Sequence, residues 1–439
     1  MSALDASIVS ALLPVVGRAL HASVAGIEWV VTVYLLVISG VLLGLGRLGD
    51  LHGHKGVYVG GFAGFMISSG LCGLAPTAAW LIFFRVLQAV AAAMLFANSP
   101  AILTSTFPAA ERGRALGLQS TMTYLGLSVG APLGGILTVH FGWRSIFFVN
   151  VPVAALGLYL SRRVITRDRP EGRTPPFDRL GATLFFLGIF ALLLALNRGY
   201  VWGWGAPPTL GLVAGALAAL SGFLVVERGH PHPMLDLSLF RRRAFAGSVF
   251  SSLMSYVAHN AILFLLPFYL VAARGLDPEH AGLVFMAEPL LMMLTSPIAG
   301  TLSDRFGSRR LTTLGLCILV TGILLLSQAG PATPLGSVVT PLAVCGLGLG
   351  CFIAPNNSRL LGAAPRQRQG IASGVMAAAR NVGMVVGVGI AGAVYTTVVV
   401  RTGPAGVSQG VSSALKVIGA LTVVPALTSW LEGEAPAEV

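Results

Sequence analysis

Apolar stretches of about twenty residues follow one another along nearly the whole chain, separated by short loops rich in Gly, Pro and Arg, and a helix needs about 20 apolar residues to cross a bilayer core. Spans are predicted near 1–16, 27–46, 56–75, 80–104, 114–139 and 145–160, then near 180–197, 208–226, 244–272, 281–301, 311–328, 336–356, 370–396 and 411–430. Of 439 residues, 55% are hydrophobic and 10% charged, whereas soluble domains carry charge at roughly a quarter of their positions. The fold class that follows is an all-α integral membrane protein with fourteen transmembrane helices. The first is shortened, since sixteen residues before Gly17 make about 24 Å of helix against a core of about 30 Å.

The formal charge of +12 could invite nucleic acid, but the bases are spread over short loops and form no single face with interleaved aromatics, so no nucleic-acid partner is expected. Cys72, Cys317, Cys345 and Cys351 lie inside apolar runs and read as packing residues. Met1 to Asp5 places no base ahead of an apolar core, so no cleavable signal peptide is expected.

Loops after even-numbered spans hold Arg47, Lys55, Arg112, Arg114, Arg162, Arg163, Arg167, Arg169, Arg173, Arg179, Arg228, Arg241 to Arg243, Arg305, Arg309, Arg310, Arg359, Arg366 and Arg368. Odd-span loops hold Arg18, Arg198, Arg274 and Arg401, with Arg144 and Lys416 at their edges. Cytoplasmic loops carry the excess of bases, which puts the even loops and both termini inside.

An internal repeat divides the chain. Gly46-Arg-Leu-Gly-Asp50-Leu-His-Gly53-His-Lys55 recurs as Gly300-Thr-Leu-Ser-Asp304-Arg305-Phe-Gly307-Ser-Arg309, each copy closing the second helix of a six-span block. The predicted organisation is therefore a six-helix half at 1–160, an inserted helix pair with basic loops at 161–243, and a second six-helix half with a short acidic tail at 244–439. Gly46 and Gly53 allow a tight turn between helix ends, and Asp50 can cap the next span's N-terminus or pair with a neighbouring base. Two roles stand open for the motif, a gating latch or a sharp loop with solvated charges.

Ionisable residues inside a span are costly and mark function. Asp5, Arg85, Glu288 and Arg380 qualify, with His259 as a titratable neighbour. Asp5 is the best proton carrier, because burial favours its neutral form and a guanidinium favours its charged form; Arg85 is the partner expected for it. The alternative is a permanent ion pair joining spans one and four. Glu288, ahead of Pro289, could attract a cation, supply a second proton site or sit at a helix end. Tyr34, Gln88, Asn98, His259, Asn260, Glu288 and Arg380 could line a substrate cavity, or merely bridge helices. In span five, Gly126, Gly130 and Gly134 recur every fourth residue beside Pro132 and Gly135, so a neighbouring backbone can approach and the helix can bend as a hinge.

Three motifs point elsewhere and fail on context. Gly44-Leu-Gly46-Arg-Leu-Gly49 matches a dinucleotide fingerprint but ends a membrane span with no strand before it. His52-Gly-His54 and His230-Pro-His232 lack the Cys or acidic companions of a metal site, and no phosphate-binding loop occurs. No nucleophile, base and orienting acid gather on a soluble segment, so neither an enzyme nor a cofactor is expected.

Leu4-Asp5-Ala-Ser7-Ile8-Val9-Ser-Ala-Leu-Leu-Pro14, Trp29-Val-Val-Thr-Val-Tyr34, Arg85-Val-Leu-Gln88 and Trp143-Arg-Ser-Ile-Phe-Phe-Val-Asn150-Val-Pro152, ordered and spaced along nearly the whole chain, resemble the signatures of the major facilitator superfamily, in particular its fourteen-span drug/proton antiporter branch. The resemblance implies that Asp5 and Arg85 couple protons, and that the repeated loops, with Gly46, Asp50, Gly53, Lys55, Gly300, Asp304, Arg305, Gly307 and Arg309, hold one gating state. Leu51 and His54 depart from the family's basic pattern in the first copy. The glycine stretch resembles the exporters' antiporter motif, except that Ala131 stands where the family places Pro, turning the bend by about 100° around the helix. The implied function is proton-driven export of small lipophilic or cationic compounds by alternating access. A dedicated exporter of one metabolite or lipid, and a membrane sensor or scaffold, are the alternatives. Expected partners are a small-molecule substrate, protons and the lipid bilayer of the cell membrane, with the molecule acting as a monomer.

Overall fold

The apolar runs form helices throughout. The computed structural model describes residues 1–439 except 23, 109–110, 167–176, 230–234, 236, 277, 366–367, 403–405 and 432–439, and contains no strand among the described residues. The first group of helices is α1 (Ser2–Ala19), α2 (Val24–Ile27), α3 (Trp29–His52), α4 (His54–Leu74), α5 (Ala78–Thr106), α6 (Arg112–Phe141), α7 (Ser145–Phe148) and α8 (Asn150–Val164). Two further helices follow, α9 (Arg179–Trp202) and α10 (Pro207–Gly229), where the inserted pair is expected. The second group is α11 (Arg243–Pro267), α12 (Pro278–Phe285), α13 (Ala287–Phe306), α14 (Ser308–Leu326), α15 (Gly336–Gly362), α16 (Gln369–Thr402) and α17 (Val407–Leu431). Arg167, Arg169, Arg173, Arg366, His230, His232 and the acidic tail lie outside the described residues.

Each of the fourteen expected spans coincides with a helix, but length and apolarity support a smaller count. Among the described residues twelve helical segments qualify, or thirteen when the bent α6 is taken as one span. The 18-residue α1 is not among them, because Asp5, Arg18 and three serines dilute a short apolar run. Large apolar side chains such as Phe83, Leu217 and Val225 stay exposed around the perimeter, as they do where lipid is the solvent.

Packing pairs the two groups along two seams, α3 against α16 and α6 against α13. The inserted pair docks beside the first seam, where Phe185, Ile189, Leu193 and Phe223 share a core with Leu36, Leu43, Ile371 and Ala372. Helix α1 lies along α6, and the glycine stripe is the reason it can. A Cβ at Gly130 would stand 2.6 Å from the Ser7 Cβ, and one at Gly134 would stand 2.8 Å from the Ile8 side chain. Ser7 Oγ closes this contact by donating to the Leu127 carbonyl at 2.7 Å. Helix α6 bends by 44° between Arg112–Gly130 and Pro132–Phe141, where Pro132 removes a rung of the ladder. Gly135 packs against nothing within 4 Å.

Candidate functional site

Asp5 is fully buried on α1, where an isolated carboxylate would be prohibitively costly, and both of its oxygens accept hydrogen bonds. Arg85 donates to Oδ2 at 2.6 Å, while Asn150 and Gln88 donate to Oδ1 at 2.8 and 3.3 Å. Arg85, 1% exposed, also donates to the Val30 carbonyl and to Gln88 Oε1, and its guanidinium lies 3.9 Å from the centre of the Tyr34 ring. Gln88 in turn donates to Ser69 Oγ at 2.7 Å. One acid thus ties α1 to α5 and α8, and Arg85 and Gln88 carry the network on to α3 and α4. A helix spacing of three places Arg85 and Gln88 on one face of α5, which is how both reach the same carboxylate.

The repeated motif builds two reciprocal helix caps. Asp50, at the end of α3, accepts the backbone N–H groups of Gly370 and Ile371 at 2.7 and 2.9 Å, and so caps the start of α16. Asp304, at the end of α13, accepts those of Gly113 and Arg114 at 2.8 and 2.9 Å, and so caps the start of α6. Each acid therefore serves a helix of the other group; of the two roles open to Asp50, capping falls on α16 and not on the next span of its own. The expected turn role of Gly46 also needs correction. Only Gly53 and Gly307, with φ of 92° and 87°, make the turns; Gly46 and Gly300 sit inside helices at the crossings. A Cβ on Gly46 would stand 2.2 Å from the Gly370 carbonyl oxygen, and one on Gly300 the same distance from that of Gly113.

The terminal bases of the motif have a matching duty. Lys55 donates to the carbonyls of Arg162 and Ile165 at the end of α8, and Arg309 to those of Ser429 and Trp430 at the end of α17. Each base thereby caps the last helix of its own group. Arg305 is exposed at the end of α13. His54 stands where the family pattern is basic; its Nε2 is 3.5 Å from Asp50 and its Nδ1 is 2.9 Å from Asn98 Oδ1.

Between the two groups lies a cavity of about 530 Å³, walled by Met1 to Ala3, by α4, α5 and α6, and by α11, α15 and α16 of the second group. Polar groups in the wall include Ser99, Gln119, Thr123, Tyr124, Tyr256, Asn357 and Arg380. Of the residues expected to line a cavity, Arg380 does so, its guanidinium 5.0 Å from the centre of the Phe96 ring. The others stand behind the wall. Tyr34 and Gln88 belong to the Asp5 network, Asn98 bridges α5 to the Leu45 carbonyl of α3, and Asn260 bonds the Tyr256 carbonyl one turn back. His259 and Glu288 pair with each other, Nδ1 to Oε1 at 2.8 Å. Tyr124, Tyr256, Asn357, the acid's partner Asn150 and Gln88's acceptor Ser69 are not among the residues the sequence singles out; Asn150 is visible only as part of the sixth-span signature.

Buried charges tied into a polar network, helices crossing at paired glycines and a central cavity between two groups of helices describe a machine for moving solutes. A profile of the Major Facilitator Superfamily matches residues 1–388. This chain belongs to the major facilitator superfamily. It is 34% identical to the riboflavin transporter RibZ of Clostridioides difficile over 387 residues, covering 88% of this chain and 84% of that protein. It is 33% identical to the multidrug resistance protein Stp of Mycobacterium tuberculosis over 392 residues, covering 89% of this chain and 73% of that one. The human organic anion transporter MFSD10 shares the fold, with a TM-score of 0.67 at 16% identity over 97% of this chain and 96% of that one. The facilitator is thus a multi-pass membrane transporter of small molecules and not an enzyme.

Proposed function

We propose that this facilitator is a proton-coupled exporter working by alternating access, with a broad set of lipophilic compounds as substrates. The observation that carries the reading is the Asp5–Arg85 pair, fully buried and wired into five helices of one group, two residues from the cavity wall at Ala3. Proton binding at Asp5 would release Arg85 from Oδ2 and leave both groups to find new partners, so occupancy of the acid and the packing of α1 against α5 change together. Similarity to a multidrug resistance protein supports efflux as the direction. One proton falling through 100 mV supplies about 2.3 kcal/mol, enough for roughly a 50-fold gradient of a neutral solute.

In this reading residues 1–160 and 244–439 are the two moving halves, 161–243 the inserted pair, and α1 the fourteenth, shortened span. The basic loops and both termini face the cytoplasm, the two latches close that side, and the molecule works as a monomer. A second reading, a dedicated exporter of one metabolite, is favoured by the similarity to a riboflavin transporter. The deciding experiment reconstitutes the protein into liposomes and follows proton release on adding a chemically diverse compound panel. Release by many unrelated lipophilic compounds supports broad export, release by one supports the dedicated reading, and silence across the panel removes proton coupling.

A further inference from the structure

The second group of helices holds an acid that the proposed scheme leaves idle. Glu288 lies in the first turn of α13, just past the break at Met286 that separates it from α12; Pro289 is tolerated there because first-turn N–H groups have no helical acceptor. Glu288 is 1% exposed, and its backbone is closely approached by α15, where a Cβ on Gly346 would stand 2.3 Å from the Glu288 carbonyl oxygen. Oε1 receives His259 from α11 at 2.8 Å, which makes Nδ1 the protonated ring nitrogen whenever Glu288 is ionised. Oε2 is buried with no donor among the described residues.

This contrasts with Asp5, whose two oxygens are both occupied by donors. A proton arriving at Asp5 must displace Arg85 or an amide. A proton arriving at the His259–Glu288 pair displaces nothing. It adds at His259 Nε2, the Nδ1 proton passes to Glu288 Oε1, and the new O–H donates back to Nδ1. Only N–H and O–H bonds change, and the pair's net charge goes from −1 to 0. Oε2 then becomes a neutral carbonyl oxygen, a far cheaper atom to leave without a partner than half of a carboxylate.

The surroundings set the pair behind the cavity wall and give it an electrostatic setting. Tyr256, three residues before His259 on α11, lines the cavity, and its ring meets the imidazole edge to face at 6.3 Å. Among the described residues, Tyr124 of α6 and Cys345 of α15 feel the Glu288 charge, and Arg380 of α16 acts on Tyr124. Tyr124 and Arg380 belong with Tyr256 to the cavity wall, which both groups of helices build.

We propose that His259 and Glu288 form a second proton-binding site, loaded from the central cavity through His259 Nε2 while Asp5 remains paired with Arg85. The proposal deepens the proton-coupled reading and rests on it for its purpose, but its test does not need transport. The protein is reconstituted in lipid and taken from alkaline to acidic buffer while infrared difference spectra record the carbonyl stretch of a protonated carboxylic acid. The expected result is an acid band that is lost in Glu288→Gln, persists in Asp5→Asn, and shifts in frequency or midpoint in His259→Gln. A band that survives Glu288→Gln unchanged, or that disappears only in Asp5→Asn, overturns the site. Glu288→Gln is isosteric, and elution as a single species with unchanged helicity verifies its fold. Failure of proton release in the compound panel would sink the exporter reading while leaving this band in place, so the two failures are distinguishable.

Discussion

Asp50 and Gly370 are joined by a 2.7 Å hydrogen bond from the glycine N–H to the carboxylate, with Ile371 N–H at 2.9 Å on the other oxygen. An acid at a helix N-terminus answers two orphan donors and the helix dipole at once. Replacing it by Ala costs about 1 to 2 kcal/mol, a 5- to 30-fold change in the population of the closed arrangement. In a background lacking the native cysteines, Ser99→Cys in the cavity wall should react several-fold faster with a thiol reagent when Asp50→Ala or Asp304→Ala is added, and faster again with both. Equal labelling in all four proteins would remove the latch role.

The glycine crossings make a steric prediction. Gly46→Ala and Gly300→Ala each push a methyl into the backbone of the opposing helix, where no side chain can move aside. Both should lose most transport and open the seams, whereas Gly135→Ala, with nothing within 4 Å of its Cβ, should behave as the parent in vesicle assays. Parent-like transport by Gly46→Ala would show that the contact is dispensable.

Removing one partner of the buried pair leaves the other charge stranded. Asp5→Asn should lower stability by about 3 to 5 kcal/mol and abolish uphill transport. Adding Arg85→Met should restore much of the stability without restoring uphill transport, a split that thermal unfolding and vesicle uptake measure side by side. Full uphill activity in Asp5→Asn would reject the assignment of this carboxylate.

Pro132 leaves an unmatched carbonyl in α6, and the helix bends 44° there. Pro132→Ala should restore the rung, raise the melting temperature by a few degrees and slow turnover, because α1 packs on both sides of the bend at Gly126 and Gly134. Unchanged turnover, followed as substrate-driven proton flux, would rule out a hinge at this point.

Much of this was legible in the sequence for a physical reason: a bilayer tolerates few patterns, so twenty apolar residues announce a helix and a charge within them announces a partner. Asp5 and Arg85 could be matched because each needed the other. The amides around them could not, since Asn150 and Gln88 are satisfied by almost any polar neighbour. The same ambiguity put Asn98 on a cavity that it does not line. Gly46 was misjudged because spacing within one segment cannot show which distant helix crosses it, and the partner Gly370 lies in the other group. His259 and Glu288 were each noticed, but their pairing depends on how α11 meets α13.

The reciprocal capping at Asp50 and Asp304 also bears on thrift. Helices α6 and α16, whose first turns the two acids hold, both border the chamber in which cargo would sit, so rigid bodies parting at one seam must tear the other as well. Under the proposed alternating access, opening would then break both caps together, and a half-undone molecule through which ions could slip without cargo would be disfavoured.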